Sequence, residues 1–185
     1  SNVVVFDNHP DGDRRPPHWA CGGWVNRAFD LPQIERVAVW GCGNFELNWP
    51  ARMFGNRRAE VYAWRERYAK RGQITRDDWR GQFEKFASSV RRDVYVSVDM
   101  DCLADAITNW ENGLFTADDV AWAIRKLPNV VGGDICGAYS PPAYARRKQR
   151  FAAEWDHPKL PPVDIDRARE INTRIVDVIW PALSR

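Results

Sequence analysis

The stretch VVVFDNHPDGD, residues 3–13, joins a run of four apolar residues to a group of acids and an imidazole. The apolar run is short and largely β-branched, and turn-forming residues follow it, which predicts a buried β-strand. Asp7, His9, Asp11 and Asp13 then stand at every second position. Alternate side chains of an extended backbone lie on one face, so several polar groups are expected to gather at the end of this strand.

The same kind of short β-branched or aromatic run recurs along the chain and predicts further strands at 36–41, 59–64, 93–99 and 129–134. Apolar periodicity predicts helices at 75–92, 116–127 and 164–180. Alternating strands and helices indicate one α/β domain over residues 1–185, with a three-layer α/β/α architecture and a mostly parallel sheet. In such sheets, ligands bind beyond the carboxyl ends of the strands.

The predicted helices carry recognisable end signals. Thr75 and Thr116 are predicted N-caps, and each has an acid three residues later, Asp78 and Asp119 respectively. The last helix is predicted to stop at Pro181, because proline interrupts helical hydrogen bonding.

The composition is that of a soluble globular domain, with 44% hydrophobic and 28% charged residues and a net charge of +2. Lys and Arg are dispersed, which argues against a nucleic-acid partner, and no apolar run approaches a membrane span. The four cysteines form no C-x-x-C pair, which fits a reduced cytoplasm. Strand-like sequence begins at Val3, so either the protein starts abruptly or an N-terminal portion with further strands is missing from this chain.

A second acidic pair, Asp99 and Asp101, follows the predicted strand at 93–99. The two residues face the same side of an extended backbone. Carboxylates held close together in a poorly hydrated site repel, and a divalent cation removes that penalty. With the acids and the imidazole of the first strand end, they make an oxygen-rich ligand set that suits Mn²⁺ better than structural zinc. Each motif alone is also typical of a tight turn or a helix cap.

These motifs resemble the signatures of the arginase/agmatinase (ureohydrolase) superfamily. The family's D-x-H-x-D stands here as DNHPD (7–11), and its S-x-D-x-D stands as SVDMD (97–101). The turn NGLFT (112–116) and the strand end VVGGDIC (130–136) resemble later family motifs in the same order. The resemblance implies an arginase/deacetylase-like fold and a Mn²⁺-dependent hydrolase of a C–N bond in a small amidine or amide. It also implies that copies of the chain associate.

The resemblance further implies a role for each ligand. Asp7 and Asp99 would bridge two Mn²⁺ ions. His9 and Asp101 would complete the ligands of one ion, and Asp11 would bind the other. A water or hydroxide between the ions would be the nucleophile, because coordination lowers the pKa of water to about 7.

Two departures from the family pattern leave alternatives open. The family's earlier G-G-D-H motif, whose His ligates the same ion as Asp11, does not occur in this sequence. A single-metal, deacetylase-like amidohydrolase is therefore an alternative to a binuclear hydrolase. Ureohydrolases also place a Glu that holds the guanidinium shortly after the position of Asp134, where this chain has Gly137 and Ala138. A degenerate, non-catalytic metal-binding or interaction protein is the other alternative, and arginase itself is not predicted.

The remaining candidates are predicted to surround the metal ligands. His18 and Cys21, in HWACGGW, stand nearest to the family's proton-shuttle His and are predicted to be catalytic. A loop His packed against its Trp neighbour is the equal alternative. Residues of the loop after the second metal motif and one strand-end acid are predicted to bind substrate: Asn109, Trp110, Glu111 and Asp134. For the loop, a solvated segment is the alternative. The glycine-rich stretch 40–49 is predicted to be a loop near the rim of the site.

Overall fold

The computed structural model describes residues 1–14, 21–49, 51–141, 147–148, 150 and 162–184. Within these residues, all the predicted strands are present, with small shifts at their ends. The strands are β1 (Asn2–Phe6), β2 (Arg36–Cys42), β3 (Glu60–Ala63), β4 (Val94–Asp99) and β5 (Val130–Cys136).

The strands form one sheet in the order β3-β2-β1-β4-β5, and every neighbouring pair is parallel. The central strand β1 pairs with β2 and β4, so that Phe6 lies opposite Trp40 on one side and Val98 on the other. Asp7 and Asp99 each follow one residue after these paired positions. The parallel register therefore brings the two acids to the same edge of the sheet, as the sequence predicts.

Four helices are described: α1 (Trp24–Ala28), α2 (Trp79–Ser89), α3 (Ala117–Lys126) and α4 (Ile165–Leu183). Among the described residues, no helix is both long enough and apolar enough to cross a bilayer. The short helix α1 lacks a helical apolar period of its own and was not predicted.

The helix start predicted at Thr116 is confirmed. The Thr116 side chain accepts a hydrogen bond from the Asp119 amide, and the Asp119 side chain accepts one from the Thr116 amide, which makes a capping box. The start predicted at Thr75 is wrong, because the Thr75 carbonyl is used by a turn and α2 begins only at Trp79. Asp78 precedes α2 and makes no capping hydrogen bond with its side chain.

The predicted stop at Pro181 is also wrong, because α4 continues through the proline to Leu183. Proline removes one hydrogen bond, but its fixed φ is helical and the ladder resumes where the Ser184 amide donates to the Trp180 carbonyl. The final turn also buries Ala182 completely and Leu183 almost completely. Tertiary packing of the last turn therefore outweighs the local cost of the proline.

Side chains from alternate positions of the sheet enter two separate apolar clusters. Val4 and Phe6 point into the larger cluster, which contains residues of α2, α3 and α4. Val3 and Val5 point into a smaller cluster that includes Val25 of α1. This arrangement confirms the predicted three-layer α/β/α architecture with a parallel sheet between helices.

Candidate metal centre

Three predicted ligands come together at the carboxyl end of the central strands. One ligand atom from each of Asp7, His9 and Asp101 lies within 4.8 Å of the other two. His9 Nδ1 is 2.8 Å from Asp101 Oδ2 and 3.5 Å from Asp7 Oδ1. All three residues are buried. The structure thus joins residues more than 90 positions apart into one polar cluster, which the parallel pairing of β1 and β4 produces.

Backbone amides hold the carboxylates of this cluster in place. The His9 amide donates to Asp7 Oδ1 at 2.7 Å, and the Asn8 amide donates to Asp101 Oδ1 at 3.0 Å. The Asp101 amide donates to Asp99 Oδ1 at 3.0 Å. These short turns after β1 and β4 are the turn chemistry that the sequence also suggested, and they orient the acids. The turn and metal interpretations are therefore compatible.

Three acids of the site, Asp7, Asp11 and Asp99, have raised pKa values. Burial raises the pKa of Asp7 well above its usual range, and the neighbouring acids, Asp11 foremost, raise it further. Burial also raises the pKa of Asp11 to about 7 and that of Asp99 to about 6, with additional repulsion from nearby carboxylates. A folded state that keeps these groups ionised needs positive charge beside them.

His9 supplies part of that positive charge. Burial disfavours its charged form, but hydrogen bonds to Asp101 and Asp7 outweigh burial and raise the pKa of His9 to about 11. The side-chain amide of Asn44 disfavours a proton on the other ring nitrogen of His9, Nε2, because it presents a donor to that nitrogen. Its Oδ1 accepts from the Glu46 amide at 3.1 Å, so its Nδ2 faces His9 Nε2 at 2.8 Å. The ring nitrogen that faces the acids is Nδ1, which lies 2.8 Å from Asp101 Oδ2.

Asp11 and Asp99 lie beside the three-residue cluster and not within it. Asp11 has a positive φ of 43°, an uncommon conformation for any residue other than glycine. The charge of His9 and the Trp24 side chain lower the pKa of Asp11, whereas the charges of Glu46 and Asp99 raise it. The predicted ligands therefore share one region, with Asp7, His9 and Asp101 at its centre.

Two residues of this region were missed by sequence reasoning. Asn44 is buried against His9, and the Glu46 carboxylate is near enough to Asp11 to raise its pKa. Both residues lie in the stretch 40–49, and their contacts confirm that this loop borders the site. The available signal was a polar pair directly after a glycine turn at a strand end, which is where parallel sheets bind ligands.

The predicted substrate loop reaches the cluster through Trp110 and Glu111. The Trp110 ring lies edge-on to the His9 ring with centroids 5.2 Å apart, and the Glu111 carbonyl accepts from Asn8 Nδ2 at 2.7 Å. Asn109 instead pairs with the backbone of Ser140 through two hydrogen bonds of 2.9 Å. The loop is therefore hydrogen-bonded to Asn8, beside the cluster, and to Ser140, while Glu111 is exposed. Its role in substrate binding stays a prediction.

Asp134 lies in β5, which pairs with β4 on the side away from β1. Its carboxylate accepts from Ser97 Oγ at 2.9 Å and from Tyr95 Oη at 2.8 Å.

Gly137, three residues after Asp134, is packed against a proposed ligand. It has a φ of +78°, and a Cβ there would lie 1.9 Å from Asp99 Oδ1. A larger residue at position 137 would displace that carboxylate. His18 lies outside the described residues, and so does the side chain of Cys21, whose backbone begins a short 3₁₀-helix.

The donor set fits a divalent cation. It combines buried carboxylate oxygens with one imidazole nitrogen. The carboxylates repel one another, and backbone amides at two strand ends hold them in place. Oxygen-rich sets with one nitrogen suit Mn²⁺ and related ions, whereas structural zinc prefers thiolate and imidazole.

No family model matches the sequence. An uncharacterised protein of Thermotoga maritima is 29% identical over 142 residues, which are 75% of this chain and 48% of that protein. Formimidoylglutamase from Bacillus subtilis matches 83% of the chain and 50% of its own, with 20% identity and a TM-score of 0.57. A triple mutant of an arginase-like protein of T. brucei, bound with Mn²⁺, matches 100% of the chain and 53% of its own, with 19% identity and a TM-score of 0.51. The chain spans about half the length of these relatives.

Proposed function

We propose that this chain, which has the fold of the arginase-like ureohydrolase superfamily, is a Mn²⁺-dependent hydrolase of a non-peptide C–N bond in a small amidine or amide. The observation that supports this most directly is the buried cluster of Asp7, His9 and Asp101 at the carboxyl ends of β1 and β4. A cytoplasmic location and association between copies of the chain belong to the same proposal.

The proposed ligands divide into a central and a flanking group. Asp7, His9 and Asp101 would hold one ion, while Asp99 and Asp11 would extend the set towards a second one. Such an ion lowers the pKa of a coordinated water towards about 7 and offsets negative charge that develops on the substrate. The chain's own contribution is to fix the carboxylates through the backbone amides of residues 8, 9 and 101.

The surrounding residues would bind the substrate and move protons. The Trp110 ring covers one side of His9 and would form an apolar wall that keeps bulk water from that side. Asn109, Glu111 and Asp134 remain proposed substrate contacts, and His18 and Cys21 remain proposed catalytic groups.

The substrate need not carry a guanidinium. Gly137 is packed so closely on Asp99 that an acidic side chain there would push the Asp99 carboxylate aside. No carboxylate can therefore stand at position 137 without altering the metal ligands. This supports a substrate in the wider class of amidines and amides, and it argues against arginine.

A single-metal amidohydrolase is the second candidate. It is favoured by the grouping of ligand atoms, because Asp7, His9 and Asp101 lie within 4.8 Å of one another and neither Asp11 nor Asp99 belongs to that group. One ion at these three ligands would leave both flanking acids to bind substrate or water.

Metal stoichiometry tests the proposal and separates its two forms. Isothermal titration with Mn²⁺ is expected to give two equivalents per chain for the binuclear hydrolase and one for the single-metal form. Asp101→Asn should weaken binding at the central site by at least about a hundredfold, since it removes a charged ligand from a buried site. Asp105→Asn, an exposed acid four residues along, is the matched control and should bind like the wild type.

Hydrolysis is tested on a panel of guanidines, formamidines and acetamides by the release of ammonia or amine. Turnover that requires Mn²⁺ and is lost in Asp99→Asn would support the proposal. A chain that binds no Mn²⁺ and hydrolyses nothing in the panel would be the degenerate protein, and the proposal would then be wrong.

A further inference from the structure

A cavity of about 600 Å³ lies next to the metal loop and is not used by any of the ligands described above. Pro10 and Gly12, the residues on either side of Asp11, form one part of its wall. Residues from 46–49 and from 52–57 form another part, and Val61 and Ala63 of β3 complete the lining. The cavity is therefore a neighbour of the metal centre with a lining of its own.

The cavity wall is attached directly to the metal loop. The Asn56 amide donates to the Gly12 carbonyl at 2.9 Å, and Asp13 pairs with Gly55 in an antiparallel bridge. These contacts join the segment after β2 to the turn that carries Asp11. The cavity therefore borders the turn that carries Asp11.

The cavity is lined by three arginines and one glutamate, which leaves a net positive charge. Arg71 donates to the Leu47 carbonyl, which orients its guanidinium, and none of the acids that the structure describes forms an ion pair with it. Arg52 and Arg57 are exposed, and within the described part of the chain neither forms an ion pair with a carboxylate. The one acid, Glu46, is close to Asp11 and raises its pKa.

Apolar side chains complete the lining. Trp49 and Met53 are 72% and 67% exposed, which is unusual for residues of this size, and Leu47 and Val61 lie in the same wall. Aromatic and methionine side chains with nearby arginines are typical of sites that receive an apolar stem ending in an anion.

We propose that this cavity is the subsite for an anionic end group of the substrate, a carboxylate or a phosphate, with Arg52 and Arg57 as its main binding residues. The inference rests on the proposed function for the reaction at the metal centre. It adds that the substrate is an amide or amidine with an apolar linker and a negative charge at the far end. Guanidinium groups bind both anions through paired N–H donors.

Binding of simple anions tests the subsite without using the metal centre. Glutarate and inorganic phosphate are titrated calorimetrically into the metal-free chain, and the tighter of the two identifies the kind of anion. Arg52→Gln/Arg57→Gln should weaken that binding at least tenfold, which is about the loss expected for charged hydrogen bonds. Arg91→Gln/Arg125→Gln removes the same charge from two exposed arginines outside the cavity and should change the affinity less than twofold.

A substrate pair then links the subsite to catalysis. With Mn²⁺ present, the wild type should hydrolyse 4-acetamidobutanoate with a lower KM than the neutral 4-acetamidobutanamide, and the double variant should lose this difference. If anions bind through the two arginines but no substrate is hydrolysed, the subsite stands and the proposed function fails. If both substrates react equally well, or if neither anion binds, the subsite is wrong while the proposed function is unaffected.

Discussion

Asp119, at the start of α3, and Asp7, at the end of β1, are both buried carboxylates, yet their surroundings are opposite in charge. Arg80 and Arg76 bind Asp119 at 2.8 and 3.1 Å, and the Thr116 amide caps it at 3.0 Å. Burial alone would raise the pKa of Asp119, but these hydrogen bonds hold it below its usual range. For Asp7, burial raises the pKa and the neighbouring carboxylates raise it further.

The difference shows where positive charge is built into the chain and where it must be added. Two arginines complete the charge balance around Asp119. Among the described residues that set the pKa of Asp7, the only cationic one is His9, whereas three are acids. A structural acid is thus balanced by the protein itself, and the acids at the strand ends remain to be balanced by a bound cation.

The largest expected effect is therefore stabilisation by metal at one region and not at the other. Mn²⁺ at about a hundred times its dissociation constant should raise the free energy of unfolding by about 2.7 kcal/mol. Asp7→Asn should abolish this increment. Asp119→Asn should show the same increment, although its free energy of unfolding without Mn²⁺ should be lower than that of the wild type. Urea unfolding with and without Mn²⁺ measures both increments, and an equal increment in Asp7→Asn would show that Asp7 does not bind the ion.

The next effect is on the stability of the metal-free chain. Asp119→Ala removes the capping box and both arginine contacts and should lower the free energy of unfolding by about 2 kcal/mol. Asp118→Ala, an exposed acid in the same first turn, is the control and should cost much less. Mn²⁺ affinity should be unchanged in both variants, because neither residue belongs to the cluster.

A smaller effect is expected from a residue that is not itself a proposed ligand. Gly137→Ala places a Cβ on the Asp99 carboxylate, in a backbone conformation with φ +78°. The displaced carboxylate should weaken Mn²⁺ binding about tenfold, which is about 1.4 kcal/mol. Gly81→Ala, in an exposed part of α2 where a Cβ meets nothing closer than 3.8 Å, provides the control. Unchanged affinity in Gly137→Ala would remove Asp99 from the proposed ligands.

The smallest effect is a pH dependence at Asp119. Its folded pKa is lowered, so its ionised form stabilises the fold above the unfolded pKa near 4. That stability is lost as the pH falls through the lower, folded pKa. Because the two arginines are 41% and 54% exposed, we expect less than about 1 kcal/mol. Urea midpoints of wild type and Asp119→Asn should therefore converge between pH 5 and about pH 3, and a constant gap would contradict this.

Local patterns were sufficient for much of the fold. Runs of β-branched residues identified β1, β2, β4 and β5, and the spacing of Thr116 and Asp119 identified the start of α3. These signals depend on residues a few positions apart, which propensity and periodicity describe well. The stop predicted at Pro181 failed because burial of Leu183 against Gly133, more than 40 residues away in sequence, outweighed a local rule.

The site was predicted in part for the same reason. The acids at the ends of β1 and β4 were visible as spaced motifs, and parallel pairing was enough to place them together. Asn44 and Glu46 were missed, because only the folded loop shows that Asn44 contacts His9 and that the Glu46 carboxylate raises the pKa of Asp11. Nothing local to Asp134 predicted that Tyr95 and Ser97 would bind its carboxylate across neighbouring strands.

The alternation of strands and helices and the positions of the acids after their strands follow from local sequence, because backbone preferences and side-chain alternation act over short distances. Folding of the whole chain is needed to bring the acids together, to pair Asp119 with two arginines, and to form an arginine-lined cavity beside the turn that carries Asp11. Those properties depend on the order of strands in the sheet and on the packing of loops, which bring together groups that are remote in sequence.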